Sequence, residues 1–172
     1  DIPKYARMTI AATQKLKKFM YYISKSVPVK INFSDMARDL ELNRDELPKY
    51  LEYLEKAELV SVLRMKANGD AILRKMDKLY LQNSNMSYVL SGENPDTGNA
   101  RETIFYCWTK QKYDTVESPV SDFEIDGKTF EVGGRNKGKK QISNLKDAYV
   151  VKDTIEYVFD NQVPLWMFGF LY

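Results

Sequence analysis

The stretch Pro119-Val-Ser-Asp-Phe-Glu-Ile-Asp-Gly-Lys-Thr-Phe-Glu-Val-Gly-Gly-Arg-Asn-Lys-Gly-Lys-Lys-Gln141 concentrates the chemistry of this chain. Two short apolar runs, residues 120–125 and 129–132, flank Asp126-Gly127, and such a pair between such runs predicts a β-hairpin with a two-residue turn. Antiparallel pairing across that turn sets Asp122 roughly opposite Glu131. Two carboxylates so placed repel unless a proton or a cation lies between them. Gly133-Gly134 and the cations Arg135, Lys137, Lys139 and Lys140 follow, with Lys128 in the turn. Acidic oxygens for Mg²⁺ beside cations for a phosphate make up one reading. A surface hairpin with outward charges and a glycine-rich basic loop is the other.

With 172 residues, 44% hydrophobic and 29% charged, the chain reads as globular, in one domain or two small ones. No apolar run approaches the roughly 18 residues of a membrane span. The opening Asp1-Ile-Pro-Lys has no signal-peptide pattern and no initiator Met, so the chain reads as a piece of something longer. A single cysteine, Cys107, fits a reducing, cytoplasmic setting. The lack of histidine removes Ser-His-Asp and Cys-His triads and the usual zinc sites. Residues 1–85 carry 16 Lys and Arg against 11 Asp and Glu, whereas residues 86–172 carry 10 against 13. A basic half joined to an acidic one predicts two modules.

In the first module, Ile10, Leu16, Phe19, Met20 and Ile23 recur at helical spacing, predicting a helix over 9–23. Ser34 is expected to cap a short helix ending at Leu40, and Asn43 a second helix. In the second helix Leu47, Tyr50, Leu51 and Leu54 form the buried stripe, and Pro48 is tolerated in its first turns. Apolar runs at 59–65 and 71–73 around Asn68-Gly69-Asp70 predict another hairpin. Three helices followed by a hairpin is the winged helix-turn-helix order, whose second paired helix can enter a DNA major groove.

The second half reads as a strand from Lys78, a turn-rich loop at 91–99, and a helix over 100–111 with Ile104, Phe105 and Trp108 inward. Glu102 opens that helix, where the dipole favours a carboxylate. A strand at 115–117, the hairpin, a short helix over 139–145 and a strand at 148–152 complete the order. The apolar ending 163–172 is expected to tuck against the sheet, or else to meet another module or a second copy. Gly133 to Lys140 nearly spells the phosphate loop GxxxxGK[ST], but Lys140 stands where the Mg²⁺-ligating hydroxyl belongs.

The run Phe33 to Val60, together with Leu79-Tyr-Leu-Gln-Asn-Ser-Asn-Met86, Asn99-Ala-Arg-Glu-Thr-Ile-Phe105, Phe130-Glu-Val-Gly-Gly-Arg-Asn-Lys137 and Pro164-Leu-Trp-Met-Phe-Gly-Phe-Leu-Tyr172, resembles the C-terminal region of bacterial AAA-type ATPases. That resemblance implies an α+β or α/β chain, with a winged helix over 1–78 and a restriction-endonuclease-like αβββαβ domain of PD-(D/E)xK type over 79–172. It implies DNA contact through Arg44, Lys49, Tyr53 and Lys56 on the recognition helix and through Arg64, Lys66, Arg74 and Lys75 on the wing. It implies a catalytic group of Glu102, Asp122, Glu131, Arg135, Lys137 and Gln141, with Mg²⁺ on Asp122, Glu131 and the Val132 carbonyl. ATP would belong to a nucleotide-binding domain preceding Asp1, which is itself a partner, and a homo-oligomer is a further expectation. The sequence departs from the nuclease pattern at Gly133, where a lysine is expected, and at Ser121, with the proline two places earlier. The competing expectation is a non-catalytic interaction module that docks to the ATPase half or another protein.

Overall fold

The computed structural model describes residues 2–65, 77–91, 96–135, 142 and 144–171, and shows a mixed α+β chain with two sheets. It divides into two compact units, one of residues 1–62 with 76–95, the other of 63–75 with 96–172. The strand from Lys78 and the helix after it therefore belong to the first unit, not to the second half as the sequence order suggested.

The first unit runs α1 (Ile2–Tyr5), α2 (Ile10–Ser26), β1 (Val29–Lys30), α3 (Phe33–Leu40), a 3-10 turn (Arg44–Glu46), α4 (Leu47–Lys56), β2 (Val60–Leu63), β3 (Lys78–Leu81) and α5 (Asn85–Ser91). The Thr9 hydroxyl accepts from the Ala12 N–H and starts α2. The cap of α3 is Asn32 rather than Ser34: its Oδ1 accepts from the amides of both Ser34 and Asp35, which leaves Ser34 inside the first turn. Asn43 caps the 3-10 turn that leads into α4, where Pro48 lies in the opening turn.

Leu16, Phe19 and Ile23 of α2 meet Met36 and Leu40 of α3 and Leu47, Leu51 and Leu54 of α4 in one core. The three-stranded sheet has the order β1-β3-β2 and closes that core with Val60, Val62, Leu79 and Leu81. The hairpin expected at Asn68-Gly69-Asp70 lies outside the described residues.

The second unit runs α6 (Thr97–Thr109), β4 (Val116–Glu117), β5 (Phe123–Ile125), β6 (Lys128–Gly133), β7 (Ala148–Lys152), β8 (Gln162–Pro164) and a 3-10 helix (Leu165–Phe170). Its sheet follows chain order, antiparallel from β4 to β6 and parallel from β6 to β8. The aromatic core gathers on one face: Phe105 of α6 meets Phe123, Phe130 and Phe168 at ring separations of 5.0, 5.5 and 4.7 Å. Asp96 starts α6, so Glu102 lies beyond the first turn and does not open the helix. The inward face also differs from the expected one, since Thr103, Tyr106 and Thr109 are buried while Trp108 is exposed. The short helix expected over 139–145 lies mostly outside the described residues.

Truncating Leu54 to Ala should lower stability by about 2–5 kcal/mol, because it empties a fully packed core position, whereas Asn32→Ala should cost about 1 kcal/mol through removal of the cap. Urea unfolding of the two variants checks both the magnitudes and their order.

Candidate functional site

The turn Asp126-Gly127 sets the geometry of the site. Both residues have positive φ, 50° and 76°, the signature of a two-residue turn whose twist matches the strands it joins. The resulting register pairs Phe123 with Phe130 and Ile125 with Lys128. Continued by one residue, it sets Asp122 opposite Glu131, as expected.

Asp122 lies just before the start of β5, and its Oδ2 accepts the Val132 N–H at 2.7 Å. Glu131 is only 1% exposed. The Ser121 hydroxyl donates to Glu131 Oε2 and lies 3.2 Å from the Phe130 carbonyl. A buried acceptor of this kind is costly to strand.

Alternation along a strand puts Phe130 and Glu131 on opposite faces. Phe130 faces α6 and also stacks on Tyr149 at 5.5 Å. Glu131 pairs in register with Val150, on the face where Ile142, Ala148 and Val150 form a second small core. Glu102 is carried by the helix packed on the aromatic face, and among the described residues no group of three or more carboxylate, thiol or imidazole side chains could hold a metal ion.

Arg135 is exposed, and its carbonyl accepts from Lys152 Nζ at 3.5 Å. Lys137 and Gln141 lie outside the described residues. Two residues that carried no weight in the sequence, Arg101 and Asp153, form an ion pair at 2.6 Å beside this loop. The Arg101 guanidinium lies so close to Gly134 that a Cβ there would meet it at 3.0 Å. Burial among apolar neighbours pushes the Cys107 thiol up to about 11.

In the first unit, Arg44, Lys49 and Lys56 are exposed and Tyr53 is half-buried along the 3-10 turn and α4. Lys49 Nζ sits 5.8 Å from the Tyr53 ring centre, and Lys56 pairs with Glu52 at 2.6 Å. A groove of about 810 Å³ beside the end of α4 is lined by Lys4, Tyr5, Tyr53 and Lys56 among others, so α1 adds a cation and an aromatic ring that the helical spacing did not flag. Arg64, expected on the wing of the first module, falls instead in the second unit. It is exposed, and its carbonyl accepts the Glu117 N–H at 3.0 Å, tying it to that unit's edge strand β4. Lys66, Arg74 and Lys75 lie outside the described residues. No helix among the described residues is long and apolar enough to cross a membrane.

The class so defined is a two-unit α+β chain, with a helical unit closed by a small sheet and an aromatic-cored mixed-sheet unit. Residues 1–97 match the family model of DUF8612, a domain of unknown function, and since the match takes in more than half of the 172 residues the chain belongs to that family. The matched segment includes all of the first unit and stops at the start of α6. No curated protein and no solved structure matches the chain.

Removing the Ser121 hydroxyl as Ser121→Ala should destabilise the chain by about 1–3 kcal/mol, the cost of a buried acceptor losing a donor. Chemical denaturation should show that effect much reduced when Glu131→Leu is already present. Cys107 should react with a thiol reagent at neutral pH only as fast as the chain opens, because a buried thiol supplies almost no thiolate; comparing rates with and without denaturant checks this.

Proposed function

We propose that the chain contacts duplex DNA through its first unit, as the C-terminal part of an AAA-type ATPase, and that its second unit is a nuclease-like scaffold without hydrolytic activity. One observation carries the DNA reading. Helices α3 and α4 are joined by a short capped turn, preceded by β1 and followed by β2 and β3, which pair in the order β1-β3-β2, an arrangement expected of a winged helix, with Arg44, Lys49 and Lys56 exposed along α4 and the turn before it. A helix presented in this way suits the major groove. Lys4 beside Lys56 extends the cationic surface past the helix end.

The neighbouring acidic residues limit the affinity this surface can reach. Glu52 is held below the usual carboxylate range by its hydrogen bond to Lys56, so the two charges largely answer each other. Binding therefore rests on few phosphate contacts and weakens with salt in proportion to their number.

The strand order of the second unit, with β6 and β7 parallel after an antiparallel meander, supports a restriction-endonuclease-like ancestry. Its acidic pair argues against cleavage. Mg²⁺ keeps several waters in an octahedral shell, whereas Glu131 is 1% exposed and already bonded to Ser121. Asp122 is engaged with the Val132 amide, and Gly133 stands where the orienting lysine would be. These contacts favour reading Asp122 and Glu131 as a structural pair over reading them, with the Val132 carbonyl, as an Mg²⁺ site.

Fluorescence anisotropy with duplex DNA at low salt tests the reading. Binding should fall across all sequences for Arg44→Ala, Lys49→Ala and Lys56→Ala, and the salt slope should shrink by about one for each phosphate no longer neutralised. Absence of binding at low salt, or a triple variant that binds like the wild type, contradicts it.

A further inference from the structure

We propose that the β8 edge of the second unit is a self-association surface, covered in solution by the same surface of a second copy of this chain. The 3-10 helix Leu165–Phe170 stacks residues three apart on one side. Leu165 is buried and Phe168 packs on Phe105 and Phe130, which turns Trp166, Met167 and Phe170 outward. On the other flank of β8, a tight turn at Asp160, with φ 54°, closes Phe159 onto Gln162 and presents Tyr157, Val158 and Phe159. The four aromatic rings at positions 157, 159, 166 and 170 are 80%, 74%, 50% and 64% exposed.

The area identifies the kind of partner. Taking about 200 Å² for a fully exposed aromatic side chain, these rings alone present roughly 500 Å², at the upper end of what a monomer leaves uncovered. One side of a standard interface buries about 800 Å², a little over half of it apolar, so the edge supplies the apolar share of one partner. Charge narrows the choice further. Residues 157–171 contain one charged side chain, Asp160. This segment offers nucleic acid no cation, and it gives a partner selected by opposite charge little to complement. Two copies related by a twofold axis bring apolar surface onto apolar surface without opposing like charges, the self-complementarity that an isologous contact requires.

The inference stands apart from the DNA reading, since none of its residues belongs to the first unit. Sedimentation velocity of the 172-residue chain across micromolar concentrations, with circular dichroism to confirm folding, tests it. The wild type should move from one-copy to two-copy mass as concentration rises. Phe159→Asp should weaken that association by about tenfold or more, with Tyr157→Lys as the alternative should Phe159→Asp fail to fold. Val89→Asp, an exposed change in α5, should leave it intact. A wild type that stays at one-copy mass throughout overturns the proposal. So does a folded Phe159→Asp or Tyr157→Lys that dimerises like the wild type, or a Val89→Asp that abolishes the dimer.

Discussion

The left-handed two-residue turn at Asp126-Gly127 is the constraint on which the second unit depends. Because side chains alternate with a period of two, a slip of one residue in β6 would send Glu131 into the aromatic core and Phe130 out of it. Few residues other than glycine tolerate φ near 76° at the second turn position, so the register is held at its source. The aromatic rings then converge on α6 from one face, while Glu131, in register with Val150, lies on the other.

The two carboxylates have distinct structural tasks. Asp122 supplies an acceptor for the Val132 amide, so that this backbone donor is not left unpaired. Glu131 is enclosed and takes the Ser121 hydroxyl. Such a pair specifies how the hairpin is closed. The first unit is of a different kind: its core is mainly aliphatic, its helices start on side-chain caps at Thr9, Asn32 and Asn43, and its charges lie at the surface.

Much of this was legible because the signals were local. The period of Leu16, Phe19 and Ile23 and the Asp-Gly turn each act over a few residues, and both elements formed where expected. Asn32 and Ser34 both suit a cap, and their competition was decided by which side chain reaches two amides at once. Thr103 and Thr109 read as polar in α6, yet they are buried because their hydroxyls bond to the carbonyls of Asn99 and Phe105 one turn back, at 2.8 and 2.9 Å. Trp108 read as core, but it is 38% exposed, although its ring lies against Gly169. The bond from Ser121 to Glu131 and the pairing of Arg101 with Asp153, 52 positions apart, arise from tertiary contact, and no spacing in the sequence announces them.

The most direct test of the central claim, that the acidic pair closes the hairpin rather than holding a cation, is the thermal midpoint of the chain as Mg²⁺ is raised through the millimolar range. A ligand that binds only the folded state must raise that midpoint. The predicted result is a midpoint that does not move with Mg²⁺ in the wild type. A rise with Mg²⁺ that disappears in Asp122→Asn would contradict it.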